Sequence, residues 1–222
     1  MRVVVCDPGV GNVRSVVRAI QRGAADGPSH SRRACDVIVT RDHAVVRDAD
    51  FLVVPGQGAF GPFARGIEGD LADALREHIA SERPYLGICL GMQVLFDSSD
   101  EAPGAKGLSV LRGHVARLDP GIDPTTSRQY ALPHIGWNAV EGCGAGVGAS
   151  GALGDAASGR HFYFAHTYAA VPEDASVIAG TTEYGAARFA SVIARGTVLG
   201  VQFHPEKSQR AGLALLARFF RA

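Results

Sequence analysis

Pro84-Tyr85-Leu86-Gly87-Ile88-Cys89-Leu90-Gly91-Met92-Gln93 is the stretch that decides the fold. Tyr85 to Ile88 is a short apolar run and reads as a buried strand. It passes into Gly87-Ile88-Cys89-Leu90-Gly91, after which Val94, Leu95 and Phe96 continue a helical pattern. Gly-x-Cys-x-Gly between a strand and a helix is the thiol form of a nucleophile elbow. The sharp turn exposes the central side chain, and the flanking glycines give the backbone room. A helix starting there also offers unpaired N–H groups and a dipole that favour the thiolate, the reactive form of cysteine. Taken alone, a free cysteine is more often core; the elbow is what separates Cys89 from that reading.

A thiolate nucleophile needs a base. Far along the chain, Thr197 to Phe203 reads as a strand with His204 at its end, followed by Pro205 and Glu206. Imidazole takes and returns a proton near neutral pH. Pro205 fixes one backbone torsion between the two polar residues, and the spacing lets the Glu206 carboxylate reach the second ring nitrogen. Cys89, His204 and Glu206 would then form a triad in that chain order.

Gly-Ile-Cys-Leu-Gly-Met-Gln with a distal Gln-Phe-His-Pro-Glu resembles the class I, or triad, glutamine amidotransferases. Asp7-Pro8-Gly9-Val10-Gly11-Asn12, Pro55-Gly56-Gln57-Gly58-Ala59-Phe60, Pro133-His134-Ile135-Gly136-Trp137-Asn138 and Phe162-Tyr163-Phe164-Ala165-His166-Thr167-Tyr168 narrow it further. Together they are similar to the glutaminase subunits of imidazole glycerol phosphate synthases, which serve histidine biosynthesis. The resemblance spans nearly the whole chain.

It implies a set of roles. Cys89 attacks the side-chain amide of glutamine, with His204 and Glu206 as base and orienter. Backbone N–H groups of Leu90 and Gln57 hold the oxyanion. Gly56, Gly58, Gln93, Glu101, His166, Thr167 and Tyr168 line the glutamine site, with Glu101 receiving the α-amino group. Asn12, Trp137 and Tyr163 belong to the interface with a cyclase subunit, a (β/α)8 barrel that receives ammonia through a channel. No cofactor is implied. Two positions depart from the family: Pro8 stands where tyrosine is usual, and Gln57 where valine is usual.

Composition agrees with a soluble enzyme subunit. The chain has 222 residues, 46% hydrophobic and 20% charged, with 22 basic and 22 acidic side chains. That neutrality argues against a nucleic-acid footprint, and the length against more than one domain, placed at 1–222. The N-terminal Met1-Arg2-Val3-Val4-Val5-Cys6 begins a strand and is too short for a signal peptide, and no run is long enough to span a bilayer. Cys6, Cys35, Cys89 and Cys143 show no metal or redox spacing, which suits a reducing cytoplasm. Gly9-x-Gly11 after a strand suggests a dinucleotide loop, but the third glycine's place is taken by Arg14. His134, His161, His166 and His204 have no cysteine or carboxylate at ligand spacing, so no metal site is expected.

The expected fold is α/β: a flavodoxin-like open sheet with a parallel core in the first half and antiparallel additions in the second, covered by helices on both faces. Arg2–Cys6, Asp36–Thr40 and Phe51–Val54 read as parallel strands. Val110-Leu111, His114–Leu118, Ile135–Val140, His161–Ala170 and Ser176–Thr181 read as shorter ones, and Arg195-Gly196 as a hairpin turn. Gly23–Ala34, Asp119–Gln129 and Glu141–Arg160 read as loops. Three functional alternatives stay open: a glutaminase subunit for anthranilate or purine nucleotide synthesis, a free-standing cysteine hydrolase of γ-glutamyl compounds, and a non-catalytic partner with a vestigial site.

Overall fold

The structure is a computed structural model that describes residues 1–9, 13–25, 36–142 and 158–221. Its centre is a seven-stranded sheet. The first strands are β1 (Arg2–Cys6), β2 (Asp36–Thr40), β3 (Phe51–Gly56) and β4 (Tyr85–Cys89). The last are β10 (Ile178–Tyr184), β11 (Ala187–Arg195) and β12 (Val198–Val201). The order is β10-β11-β12-β4-β3-β1-β2. β1, β2, β3, β4 and β12 run parallel, and β10 and β11 add antiparallel pairs at one side. The elbow strand β4 is therefore the middle strand, with neighbours on both sides. That is why Tyr85 to Cys89 is buried at every position instead of alternating.

Strand periodicity sends alternate residues to opposite faces. Val3 and Val5 of β1 pack with Val16 and Ile20 of α1 (Val13–Ala25) and with Leu215, Leu216 and Phe219 of α6 (Gln209–Phe219). Val4 and Cys6 face the other way, toward Val46 of α2 (His43–Arg47), Phe60 and Phe63 of α3 (Phe60–Gly66), and Leu71 and Leu75 of α4 (Asp70–Ala80). Helices thus cover both faces of the sheet. No helix among the described residues is long and apolar enough to cross a membrane.

Two smaller sheets lie beside the central one and contribute Val115 and Ala170, and Phe162 and Phe164, to its core. One contains β5 (Ser98–Ser99), β6 (Gly113–Arg117) and β9 (Tyr168–Pro172); the other pairs β7 (His134–Val140) with β8 (Arg160–His166). The expected single run from His161 to Ala170 is two strands in different sheets, and Thr167 is the crossing residue between them. Its carbonyl accepts from Leu118 N–H at 2.9 Å, outside either ladder.

Other boundaries also moved. Leu90–Gln93, helix α5, is one turn long and does not continue through Phe96. The carbonyls of Val94, Leu95 and Phe96 accept instead from the N–H groups of Leu108, Val110, Leu111 and Ser109. The same bonds explain why Val110-Leu111 is not a strand: both N–H groups converge on Leu95. Ser176 lies in a 3-10 turn, Ala175–Val177, where the Asp174 carboxylate accepts from Ser176 N–H; strand β10 follows it. Helix α1 extends to Ala25, past the expected start of a loop, and residues 26–35 of that loop lie outside the described residues. So do Val10, Gly11 and Asn12, and residues 143–157 of the second glycine-rich stretch.

Candidate active site

Cys89 ends β4 and caps α5 with φ 52° and ψ −107°, a left-handed conformation that a side chain normally avoids. The glycines explain how the turn fits. A Cβ on Gly91 would lie 1.8 Å from the Val54 carbonyl oxygen of β3, and one on Gly87 would lie 2.3 Å from the Gly91 carbonyl oxygen. Tyr85, fully buried, donates its hydroxyl to the Gly91 carbonyl at 2.7 Å and ties the strand to the turn. Because α5 is so short, its dipole adds little; the local N–H groups of the elbow are what remain of the expected helix effect.

The register of the central sheet assembles the rest. Gly56 of β3 lies opposite Cys89, and Val201 of β12 lies opposite Ile88. The chain leaving β12 therefore passes the sulfur and delivers His204 at the C-terminal end of the parallel strands, the usual place for a site in an open α/β sheet. His204 Nδ1–H donates to Glu206 Oε1 at 2.8 Å, and both side chains are almost wholly buried. Burial alone would lower the imidazole, but hydrogen bonds to Cys89 and Glu206, and their charge, overrule it and push it up to about 10. The ring thus holds its proton at neutral pH, between the sulfur and the carboxylate. Glu206 Oε2 is buried with no hydrogen-bond partner among the described residues, beside a cavity of about 10 Å3 shared with Val16, Pro55 and Gln57.

A cleft of about 340 Å3 opens over the sulfur. Gln57, Gly58, Cys89, Leu90, Gln93, Glu101, His166, Thr167, Tyr168 and His204 all line it. Gly56 lies just behind, where a Cβ would strike Phe63 and Leu90. Gly58 has φ +101°, and a Cβ there would meet nothing within 4 Å among the described residues. Glu101 accepts from the Phe60 N–H at 2.8 Å, which fixes its carboxylate at the cleft wall and caps α3. Pro133, Ala165 and Lys207 line the cleft as well, although sequence reasoning assigned them no part there.

Below the cleft runs a buried polar chain. His166 Nδ1–H donates to the Tyr168 carbonyl at 2.9 Å, so its Nε2 is an acceptor, 3.3 Å from His134 Nδ1. His134 Nδ1 must then donate, and its Nε2 accepts from Asn138 Nδ2 at 3.4 Å. Both imidazoles are neutral in this arrangement. Burial pushes His166 down to about 3 and His134 to about 4, and a proton on either would set donor against donor.

Trp137 and Tyr163 face each other across β7 and β8, with ring centroids 6.2 Å apart. Trp137 is 46% and Ile135 61% exposed, an apolar face beside the cleft. Lys207 Nζ lies 5.7 Å from the Tyr163 ring centre. Asn12, the third expected interface residue, is outside the described residues. Of the other cysteines, Cys6 is buried, and that burial, followed by the charge of Asp7, pushes its thiol up to about 12. It is no rival nucleophile. Cys35 and Cys143 lie outside the described residues.

Comparison with known proteins gives the family of the chain. The profile of the family described as glutamine amidotransferase class-I matches residues 6–222. The chain is 41% identical over 222 residues to the imidazole glycerol phosphate synthase subunit HisH of Aquifex aeolicus, covering 100% of this chain and 97% of that protein. It is 39% identical over 220 residues to HisH of Thermotoga maritima, covering 98% and 96%. A chloroplastic imidazole glycerol phosphate synthase hisHF of Arabidopsis thaliana is 41% identical over 98% of this chain, which spans 33% of that longer protein. Among solved structures, PurLQS from Thermotoga maritima superposes with a TM-score of 0.69 at 15% identity, covering 99% of this chain and 97% of that one. The glutaminase domain of Trypanosoma brucei CTPS with bound acivicin gives 0.63 at 16%, covering 100% and 94%. At such low identity these two speak for the fold alone.

Proposed function

The chain belongs to the glutamine amidotransferase class-I family, among the HisH subunits of imidazole glycerol phosphate synthase, and from that premise we propose how its residues carry the reaction. Glutamine enters the cleft with its α-amino group at Glu101 and its side-chain amide over Cys89. Gly56, Gly58, Gln93, His166, Thr167 and Tyr168 shape the space around it. The Cys89 thiolate attacks the amide carbon, and the backbone N–H groups of Leu90 and Gln57 stabilise the oxyanion. His204 gives its proton to the departing ammonia, leaving a thioester on Cys89. His204 then takes a proton from water, the hydroxide attacks the thioester, and glutamate and the thiol are released. Glu206 holds the imidazole in the orientation that serves both steps.

Ammonia passes to a cyclase subunit with a (β/α)8 barrel, docked on the face that carries Asn12, Trp137 and Tyr163. There it joins an aminoribosyl-carboxamide nucleotide to give imidazole glycerol phosphate and a purine precursor. The pair works as a heterodimer in the cytoplasm. Service to anthranilate or purine nucleotide synthesis is not favoured, because relatives at 37% to 41% identity carry the HisH name.

The observation that carries this reading is the convergence of Cys89 with the His204–Glu206 pair at the floor of one cleft, from strand ends more than a hundred residues apart in the chain. The test is a glutaminase assay of the isolated chain and of its complex with the cyclase subunit and nucleotide ligand. Turnover is expected to be nearly silent alone and to rise by orders of magnitude in the complex. Full activity in the isolated chain would favour a free-standing hydrolase instead.

A further inference from the structure

Gln202 is fully buried and lies one step beyond Val201, which pairs with Ile88, so it stands beside Cys89. A long polar side chain with no access to water must find partners inside the protein. The partners fix its orientation. The Tyr168 carbonyl can only accept, so the Gln93 atom 3.0 Å from it is Nε2. That nitrogen's second N–H points to Gln202 at 3.0 Å, so the Gln202 atom receiving it is Oε1. What remains of the Gln202 amide is its Nε2, a donor, 3.5 Å from Cys89 Sγ.

We propose that Gln202 is a further catalytic residue, which donates a hydrogen bond to Cys89 Sγ, and that Gln93, anchored on the Tyr168 carbonyl, is its positioning residue. This rests on the reading of Cys89 as the nucleophile. The triad and the oxyanion donors do not supply this function. His204 exchanges protons with the sulfur and leaving group, and the oxyanion donors act on the substrate's oxygen. The Gln202 amide acts on sulfur whenever it carries negative charge: in the resting thiolate, and again when the thioester intermediate expels it. A neutral donor cannot quench the thiolate by giving up a proton. Hydrogen bonds to a charged partner are stronger than those to a neutral one, so the bond favours thiolate over thiol. The Tyr168 carbonyl also accepts from His166, so the anchor is held from two sides.

The experiment follows the rate of Cys89 alkylation by iodoacetamide against pH, in the isolated chain and in the complex. The reagent has no glutamine-like groups, so it reads the sulfur and not substrate binding. Gln202→Met keeps the length and removes the donor. Its alkylation at pH 7 is expected to fall about tenfold, the scale of one hydrogen bond to a charged group, with the gap narrowing at alkaline pH. Gln202→Glu keeps the shape and still accepts from Gln93 but sets a carboxylate against the sulfur, and should alkylate more slowly still. Gln93→Met lets the Gln202 amide turn and should reproduce part of the loss. In the complex, Gln202→Met should lower kcat for glutamine with KM little changed, while ammonia-dependent synthesis and the melting temperature report that the fold is intact. Wild-type alkylation profiles in both Gln202 variants would overturn the inference and leave the glutaminase reading standing. A wild-type chain that labels elsewhere than Cys89 would overturn both.

Discussion

The backbone N–H of His204 donates to the carbonyl of Tyr163 at 2.8 Å, so the base of the cleft and a ring of the exposed face are one hydrogen bond apart. Ser208 doubles the link: its hydroxyl accepts from Tyr163 N–H at 2.9 Å and donates to the His204 carbonyl at 2.6 Å. Ser208→Ala strands the Tyr163 N–H and leaves the His204 carbonyl only its bond from Lys207 N–H, and should lower stability by about 1–3 kcal/mol. It should also reduce stimulation of glutamine turnover by the cyclase subunit. Chemical denaturation and a glutaminase assay of the complex check both; a variant stimulated as fully as wild type would show that the clamp transmits nothing.

Cys89→Ala should abolish glutamine hydrolysis while the complex still makes product from added ammonia. A glutamine-like alkylating reagent should label Cys89 in the wild type, since Cys6 is held as an inert thiol. Loss of both activities in an intact complex would count against Cys89 as sole nucleophile.

Gly58 has φ +101° with open space around it among the described residues, so a side chain there meets backbone strain and no clash with them. Gly58→Val should therefore fold, bind the cyclase subunit and stay alkylatable at Cys89. It should lose stimulated turnover by about a hundredfold or more, the usual loss when one oxyanion donor is misplaced. Gln57→Val alters no backbone donor and should keep stimulated activity. Full turnover in Gly58→Val would show that the 55–58 loop does not supply the oxyanion donor.

Two limbs of the stability–pH curve have different owners. His166 and His134 are lowered from 6.5 to about 3 and 4 by burial. Between those values the unfolded chain binds more protons, so stability is lost as pH falls below about 6.5. His204 is raised to about 10 against the burial that opposes it, by Cys89 and Glu206. Its contribution is full below 6.5 and is lost as pH rises through 10. His134→Phe preserves the stack between Tyr184 and Phe164 and should flatten the acid limb. Cys89→Ala should flatten the alkaline one. Denaturation midpoints measured from pH 4 to 10 would separate them, and unchanged slopes in both variants would refute the assignment.

Much of this site was legible in the residues alone, for local reasons. Gly87 and Gly91 announce a close backbone approach, and Gly91 meets the Val54 carbonyl as such a turn requires. His204 and Glu206 are near in sequence, so their contact needs no knowledge of the fold. What escaped depends on partners far away. The turn after Cys89 tightens at Leu95 and Phe96, whose N–H groups bond to Met92 and Gln93, while residues 108–111 hold the carbonyls of 94–96, a tie that no local pattern reveals. The break at Thr167 is a change of sheet inside a continuous β-forming run. Gln202 opens the Gln-Phe-His-Pro-Glu motif, yet its place beside the sulfur follows from the pairing of β12 with β4, and strand order is not written in periodicity.

The left-handed backbone at Cys89 has a thermodynamic consequence. A non-glycine residue held there raises the energy of the folded chain by about 1–3 kcal/mol, and the neighbours that enforce it, Tyr85, Gly91 and Val54, are all buried. Reactivity at this point is maintained against the chain's own preference, so the most active residue and the most comfortable residue differ. Glycine would relax the turn and end the chemistry, so Cys89→Gly should unfold at higher denaturant than Cys89→Ala, which loses the same sulfur and keeps the strained backbone. The strain is thus a standing cost of keeping sulfur at this turn, because the residue the backbone prefers there is one that cannot react.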